Sequence, residues 1–166
     1  MSPKPIDACQ SSGAEMSRKI REICNMKKKV ITIAPDATIK EAVDCLNKNN
    51  IGCLVVMDGA NIAGIVSERD VLRKLADTDV QLDIHSLKTS EIMTPKEKII
   101  VGRLDSTLEY LMCCMNENKI RHIPIVDNEG SLVCLTSIRD IIRVLLKDAK
   151  TEAQFLSDYV QGKYPA

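Results

Sequence analysis

The fold is decided by residues 51–70, IGCLVVMDGANIAGIVSERD, because a second version of the same stretch, IRHIPIVDNEGSLVCLTSIRD, follows at residues 120–140. The starts of the two stretches lie 69 residues apart, whereas Asp70 and Asp140 lie 70 apart. The one-residue slip falls within a turn, where two copies of one folded unit tolerate an insertion. The chain is therefore expected to form two pseudo-symmetric repeats that share a seam.

Two extended segments in the first repeat are predicted to form a hairpin. The near-continuous apolar run over residues 51–57 is typical of a strand that is covered on both faces. Asp58 and Gly59 then form a hairpin signal into a second strand over residues 62–66. A helix is expected to begin at Ser67.

A strand and a helix are predicted before this hairpin. The strand covers residues 30–33, and Thr38 with Glu41 forms a capping box at the start of the helix, which should stop near residues 49–50. The helix presents one apolar stripe, made of Ile39, Ala42, Val43 and Leu46. The second copy has the same order, with strands over 99–101, 120–126 and 132–136 and helices over 108–115 and from 137 onward. Both copies thus predict an α/β (α+β) unit of β-α-β-β-α order.

Size and charge limit the classes of function. The chain has 166 residues, 45% of them hydrophobic, which suits one compact body or two small halves with a shared core. Its 23 basic and 23 acidic residues cancel, so neither nucleic acid nor a membrane surface is expected as a partner, although a local basic pocket is compatible with this balance. Neither a membrane anchor nor a secretory signal is expected, and a cytoplasmic location is favoured while a mitochondrial one stays open.

The seven cysteines are expected to be thiols. Their number is odd, and neither a Cys-x-x-Cys pair nor a Cys/His cluster with zinc spacing occurs. Cys53 lies in an apolar run and Cys134 lies between apolar residues, which suits small buried hydrophobes. The pattern therefore predicts no disulfide, no metal site and a reducing compartment.

These motifs together resemble those of a known family. They are the double β-α-β-β-α order, Ile92-Met93-Thr94, the run from Ile120 to Asp127, and Ser-x-x-Asp after the last strand of each copy. The chain resembles a tandem pair of cystathionine-β-synthase-type (CBS) domains, in particular stand-alone proteins that contain little beyond one pair. The expected organisation is a flexible leader over 1–18, CBS domains over 19–76 and 89–147, a linker over 77–88 and an amphipathic tail over 148–166.

The Ser-x-x-Asp pairs are the candidate ligand-binding positions. Asp70 and Asp140 come at predicted helix starts, where the helix dipole favours a carboxylate that can accept hydrogen bonds from the paired hydroxyls of a sugar. Ser67 and Ser137 stand beside the unpaired N–H groups of the same helix ends. The alternative is that both pairs are ordinary helix caps without a ligand.

The resemblance implies two composite clefts for adenosine-type ligands. One is expected to combine Ala34, Ile39, Ile51 and Gly52 with Arg121, His122, Leu135, Ser137 and Asp140, and the other to combine Arg103, Leu108, Ile120 and Arg121 with Ile65, Ser67 and Asp70. The resemblance places Arg121 and His122 on the phosphates, so the Asp140 cleft is expected to prefer a phosphorylated adenosine. The other cleft is expected to prefer a less charged ligand or to stay empty. One departure is Cys134, which replaces the glycine found at the equivalent Gly64 and could narrow backbone access.

The expected function is regulatory and not enzymatic. The chain has two histidines, and no nucleophile with a base and no glycine-rich phosphate loop can be assembled from its spacing. The resemblance implies an energy-sensing module that binds AMP, ADP or ATP, with S-adenosylmethionine or NAD as alternatives, and that modulates a partner protein of unknown identity. The expected module requires no catalytic cofactor. A non-catalytic interaction or dimerisation module with vestigial clefts is the second hypothesis.

The C-terminal tail bears on oligomeric state. Phe155, Leu156, Tyr159 and Val160 form one stripe of a predicted helix. This stripe either packs on its own core or is buried against a second chain, and CBS pairs commonly associate through helix faces. A homodimer is expected.

Overall fold

Helices and strands alternate through most of the chain. A computed structural model of the protein describes residues 20–26, 29–76 and 83–161. Its helices are α1 (Ile20–Met26), α2 (Ile39–Asn49), α3 (Glu68–Ala76), α4 (Leu108–Glu117) and α5 (Ile138–Val160), and its strands are β1 (Thr32–Ile33), β2 (Cys53–Asp58), β3 (Asn61–Ser67), β4 (Thr94–Pro95), β5 (Gly102–Arg103), β6 (His122–Val126) and β7 (Leu132–Ser137). The predicted α/β class and the β-α-β-β-α order of each repeat are confirmed.

The first sheet has the strand order β1-β2-β3-β4. β1 is parallel to β2, and β2 forms an antiparallel hairpin with β3. Asp58 pairs with Asn61, and Gly59 in the turn between them has a φ of 57°, a left-handed conformation that favours glycine. Residues 53–56 are all buried, which confirms the prediction of a strand covered on both faces.

The second sheet has the order β5-β6-β7 and repeats this arrangement. Its first strand is Gly102–Arg103, so the strand predicted over residues 99–101 was misplaced. The apolar character of Ile99 reflects burial and not strand pairing, because its N–H donates to the carbonyl oxygen of Lys96 at the end of a 3-10 turn. Close contact with β6 instead falls at Gly102, where a Cβ would lie 2.7 Å from Cδ1 of Ile125.

The predicted capping box opens α2. The Thr38 hydroxyl accepts from the N–H of Glu41 at 3.2 Å, and the Glu41 carboxylate accepts from the N–H of Thr38 at 2.7 Å. The helix ends at Asn50, which is left-handed with a φ of 52°. Both the start and the end of this helix therefore agree with the sequence prediction.

The segment that precedes the β-α-β-β-α unit of each repeat packs against the other repeat. Ile20 and Ile23 of α1 lie in the same buried cluster as Leu111 and Ile125 of the second repeat. Conversely, β4 precedes the β-α-β-β-α unit of the second repeat but pairs with β3 of the first repeat. This exchange, which joins the two repeats at both ends, was not predicted from the sequence.

A disulfide joins Cys24 of α1 to Cys134 of β7, with 5.6 Å between the two Cα atoms. The expectation that all cysteines are thiols was therefore wrong for this pair, and the reducing compartment inferred from it loses its basis. The spacing rules missed the bond because its partners lie 110 residues apart and meet only through the exchange of α1. Cys53 remains a buried thiol, as predicted.

The C-terminal tail continues the last helix. α5 runs without a break over 23 residues, through the boundary expected at residue 147. The leader over 1–18, part of the linker and the side chains of Phe155, Tyr159 and Val160 lie outside the described residues. Within the described part, no helix combines the length and the apolar character that a membrane span needs.

Candidate nucleotide site

Asp70 caps the start of α3. β3 ends at Ser67 and α3 begins at the next residue, so strand and helix meet without a loop. The N–H and the hydroxyl of Ser67 both donate to Oδ2 of Asp70, at 2.8 and 2.6 Å. The pair thus uses one carboxylate oxygen as a helix cap and holds the carboxylate, which is half-buried, at the positive end of the helix dipole.

Asp140 has the same arrangement at the start of α5. The N–H of Ser137 donates to Oδ2 of Asp140 at 2.9 Å, the Ser137 hydroxyl donates to the same oxygen, and the N–H of Asp140 donates to Ser137 Oγ at 3.4 Å. This carboxylate is also half-buried. The two bonds from serine to aspartate Oδ2 therefore recur at both helix starts, as the sequence duplication predicts.

Each helix start is also bonded to the buried strand of its own repeat. The N–H of Glu68 donates to the carbonyl oxygen of Gly52 at 3.2 Å, and the N–H of Ile138 donates to that of Arg121 at 3.0 Å. Gly52 and Arg121 are equivalent positions in the two repeats. The positions expected to face the ligand are thus fixed next to the helix starts by main-chain bonds.

A cleft of about 630 Å³ lies beside Asp140 and is called the Asp140 cleft. Residues of both repeats line it, as the resemblance implied. Six of the predicted residues are among them, namely Ile51, Gly52, His122, Leu135, Ser137 and Asp140. The apolar side chains offer a surface for a flat ring, while Ser137 and Asp140 offer polar atoms at its edge.

A second cleft of about 420 Å³ lies beside Asp70 and is called the Asp70 cleft. Five residues predicted for this cleft line it, namely Ile65, Ser67, Asp70, Ile120 and Arg121, and so does His122, which was predicted for the Asp140 cleft. Thr94 of the exchanged strand β4 also lines it. The two clefts therefore follow the pseudo-symmetry of the chain, each combining a Ser-x-x-Asp helix of one repeat with a buried-strand start of the other.

Four predicted residues do not line either cleft. Ile39 and Leu108 are 2% and 1% exposed, because each begins a helix whose apolar stripe faces the core. Ala34 and Arg103 are exposed, and the Arg103 guanidinium donates to Oδ1 of Asn128 at 3.4 Å. Both pairs of residues are repeat equivalents, so the structure separates them from both clefts in the same way.

Arg121 was expected at both clefts, and its contact with the phosphates of a ligand in the Asp140 cleft stays a prediction. Arg121 lines the Asp70 cleft, whereas its equivalent Gly52 lines the Asp140 cleft. Each cleft takes its buried-strand start from the repeat that does not supply its aspartate. His122 lines both clefts. Arg121 and His122 also line a depression of about 310 Å³ that extends to Ser137 and Arg139.

Basic side chains line both clefts, and of these residues Arg121 alone was predicted from the sequence. They are Lys29, Lys48, Arg139 and Arg143 at the Asp140 cleft and Arg69, Arg73, Lys119 and Arg121 at the Asp70 cleft. Arg69 matches Arg139 and Arg73 matches Arg143 at the offset of 70, and each pair of arginines is spaced by four residues on one helix face. That repeated spacing beside Ser-x-x-Asp was the signal that could have found them. A chain of zero net charge thus concentrates basic side chains where an anion could bind.

Cys53 and His122 form a wall that is common to the two clefts, since both residues line both of them. Cys53 is 2% exposed. Burial, and then the nearby Asp70 carboxylate, raise the pKa of its thiol to about 12, against a smaller opposing effect of Arg121. The thiol is therefore protonated at neutral pH and acts as a packing group. Across the described residues, no set of three or more His, Cys, Asp or Glu side chains is arranged to hold a metal ion.

Comparison with known proteins identifies the family. A sequence model of the CBS domain matches residues 20–77 and again residues 90–147, which together are well over half of the chain. The chain belongs to the CBS domain family.

Relatives of this CBS pair include the protein CBSX3, mitochondrial, of Arabidopsis thaliana, which is 35% identical over 133 residues. The match covers 78% of this chain and 63% of the relative, so the chain spans somewhat less than two thirds of that relative's length.

Solved structures of CBS proteins have the same fold. A CBS domain protein from Pyrobaculum aerophilum complexed with AMP is 27% identical, with a TM-score of 0.68 over 80% of this chain and 99% of that one. The CBS domain pair of protein MJ0100, in complex with 5'-methylthioadenosine and S-adenosyl-L-methionine, is 25% identical, with a TM-score of 0.68 over 79% of this chain and 98% of that one. Both of these solved CBS proteins are complexed with adenosine-type ligands.

Proposed function

We propose that this chain is a regulatory CBS pair that binds an adenine nucleotide and thereby modulates a partner protein. The observation that carries the proposal is the Asp140 cleft, where a half-buried helix-start carboxylate, an apolar wall and four basic side chains lie together. The ligands bound by the related structures support an adenosine-type ligand. AMP, ADP and ATP are the ligands proposed first, with S-adenosylmethionine or NAD as alternatives.

The proposed binding mode assigns one chemical group to each part of the cleft. The Asp140 carboxylate accepts hydrogen bonds from the ribose hydroxyls, and the bond from the N–H of Ser137 to Oδ2 holds the carboxylate at the helix start. The adenine ring lies against Ile51 and Leu135. The phosphates extend toward Arg139 and Arg143, whose guanidinium groups can bind phosphate oxygens bidentately.

The Asp70 cleft is proposed as a second site of the same kind. It has the equivalent carboxylate and arginines, together with Arg121 and His122. Its smaller volume, about 420 Å³ against 630 Å³, favours a smaller ligand than the Asp140 cleft accepts. Ligand binding in either cleft would then favour one arrangement of the two repeats, and a partner protein that recognises that arrangement would respond to the nucleotide.

Calorimetric titration tests the proposal with adenosine, AMP, ADP, ATP and S-adenosylmethionine. Asp140→Asn removes the charge but keeps an oxygen acceptor, and it should weaken nucleotide binding at its cleft by about tenfold, the size of a lost charge-assisted hydrogen bond. Asp44→Asn is the matched control, because it removes the same charge from an exposed position of α2. Arg143→Gln should weaken ATP binding more than adenosine binding, since it changes only a proposed phosphate contact.

A non-catalytic interaction module with vestigial clefts is the second candidate. The observation that favours it is that Ser67 and Ser137 each donate twice to their aspartates, so that both pairs already serve as helix caps. In that case no nucleotide gives heat in the titration, while Asp140→Asn still lowers the free energy of unfolding by roughly 0.5–2 kcal/mol through the cap alone. Under the first proposal, both the heat and the stability change.

We further propose that the protein acts without catalysis, as a homodimer and without nucleic acid or membrane as partners. Leu72 of α3 and Ile142 of α5 are repeat equivalents and are 65% and 45% exposed, so that both closing helices present apolar residues to a second chain. A cytoplasmic location is proposed, with a mitochondrial one as the alternative that the Arabidopsis relative suggests. Fractionation of cells with an antibody to the chain distinguishes the two locations.

A further inference from the structure

The first repeat holds the segment that packs against it, which contains β4, by strand pairing. Gly64 and Ile65 of β3 pair with Pro95 and Thr94 of β4. A Cβ on Gly64 would lie 2.4 Å from the carbonyl oxygen of Thr94 and 2.9 Å from Sδ of Met93. The pairing therefore depends on the absence of a side chain at residue 64.

The second repeat holds its exchanged segment differently. Its residue equivalent to Gly64 is Cys134, and the residue equivalent to Met93 is Cys24. These two residues are joined by the disulfide, and in the described part of the chain β7 has β6 as its only paired neighbour. The covalent bond thus stands where the first repeat has a fourth strand.

Both cysteines of the disulfide are close in sequence to residues that line the Asp140 cleft. Leu135, which follows Cys134 directly, lines that cleft. Lys29, Val30 and Ile31, which come shortly after α1, line it as well. The Asp70 cleft is lined instead by Thr94 of the strand-paired segment, and none of its lining residues comes from residues 20–31.

We propose that the Cys24–Cys134 disulfide is a redox switch that sets the affinity of the Asp140 cleft and leaves the Asp70 cleft unchanged. The proposal rests on the proposed nucleotide-binding function of the cleft. Its reductant is a dithiol, one thiolate of which attacks the sulfur of Cys24, the more exposed of the two half-cystines at 9% against 2%. The second thiol of the reductant then resolves the mixed disulfide. Two electrons and two protons pass to the protein, which gains two thiols, and the reductant becomes an internal disulfide.

Reduction loosens one end of the segment without releasing it. Ile20 and Ile23 stay buried in the core of the second repeat, and the N–H of Ile20 donates to the carbonyl oxygen of Ser106 at 3.1 Å. The C-terminal end of α1 loses its tether, so that a ligand must order Lys29 when it binds. Ordering one long side chain and its backbone weakens binding by about two- to tenfold.

The test measures each cleft separately, with ATP as the probe. In Asp70→Asn protein the remaining strong site is the Asp140 cleft, and a dithiol reductant should weaken ATP binding there by about two- to tenfold. In Asp140→Asn protein the same reductant should leave ATP binding unchanged. The Cys24→Ser/Cys134→Ser variant should bind like reduced protein under all conditions, whereas Cys45→Ser, a change at a thiol on α2, should keep the response.

A readout without ligand separates failure of the switch from failure of the proposed function. Amide hydrogen exchange should become faster on reduction in residues 24–26 and 29–31, while the equivalent segment at residues 92–95 keeps its rate. If ATP binds to neither form, the nucleotide function falls and this exchange pattern still decides whether the bond controls the segment. Equal changes in both segments overturn the switch. So does the finding, by mass spectrometry, that Cys24 and Cys134 are both alkylated in protein treated with a mild oxidant.

Discussion

Cys53 and His122 occupy equivalent positions in the two repeats and both line the two clefts, so a single wall separates two candidate ligand sites. A ligand in either cleft therefore lies against residues that the other cleft also uses. Cys53 is buried and neutral, whereas His122 is half-buried and polar. The wall thus combines one rigid packing group with one group that can donate or accept hydrogen bonds.

Cys53 should react slowly with thiol reagents. Burial and the Asp70 carboxylate raise its pKa to about 12, so almost no thiolate is present near neutral pH. Alkylation by iodoacetamide, followed by peptide mass spectrometry, should label the half-buried Cys45 well before Cys53. The labelling rate of Cys53 should rise with pH throughout the alkaline range in which the fold persists. Equal rates at the two cysteines would show that the wall opens readily to solvent.

Gly64→Ala should destabilise the protein by about 1–3 kcal/mol, the usual cost of forcing an extra carbon into a packed site. The added Cβ would lie 2.4 Å from a main-chain oxygen, which cannot rotate away as a side chain can. Gly52→Ala is the matched control, because its nearest neighbour is the flexible Glu68 carboxylate at 3.4 Å. Urea unfolding measures the loss in the free energy of unfolding for both variants. A loss in the control that equals the loss in Gly64→Ala would refute the close approach of β4.

The capping box of α2 should make part of the stability depend on acid pH. Hydrogen bonds from the N–H and the hydroxyl of Thr38 lower the pKa of Glu41 below its ordinary value of 4.5. A carboxyl group whose pKa is lower in the folded state stabilises the fold above its unfolded pKa, and this contribution is lost as the pH falls through the folded pKa. Wild-type protein should therefore lose the contribution below about pH 4.5.

Comparison with Glu41→Gln isolates this contribution. The free energy of unfolding of the variant should fall below that of wild type near neutral pH, and the difference should shrink as the pH falls below about 4.5. Asp44→Asn serves as the control, because Asp44 lies on the exposed side of the same helix and pairs with Lys40. A difference between Glu41→Gln and wild type that stays constant with pH would mean that the charge of Glu41 does not stabilise the cap.

The sequence predicted the local features of the fold well and the exchange between repeats not at all. The Thr38 capping box, the buried strand over 53–56 and the two Ser-x-x-Asp helix starts are all encoded by neighbouring residues, whose periodicity and capping chemistry are visible in the chain. The docking of α1 on the second repeat depends on contacts between residues about a hundred positions apart. No local pattern carries that information.

What the sequence left open or missed near the site has the same origin. Arg121 was expected at both clefts and lines the Asp70 cleft, because a repeat offset shows which residues are equivalent and does not show which repeat supplies each wall. Cys24 and Cys134 were treated as thiols because their proximity arises only when α1 crosses to the other repeat. In contrast, the basic side chains at Arg69 and Arg139 could have been found, since their spacing from the aspartates is identical in both copies.

Charged substitutions on the closing helices should dissociate the proposed homodimer. Ile142→Glu places a charge on an exposed apolar position of α5, next to Leu146, which is 57% exposed. Burying an unpaired carboxylate in an interface is strongly unfavourable, so the variant should sediment as a monomer while wild type sediments as a dimer. Val101→Glu is the matched control, because it introduces the same charge at an exposed apolar residue outside the helices, 44% exposed in the wild type. Analytical ultracentrifugation over a concentration series gives the answer. Dissociation by Val101→Glu and not by Ile142→Glu would move the interface away from α5, and a wild type that is monomeric at every concentration would remove the dimer altogether.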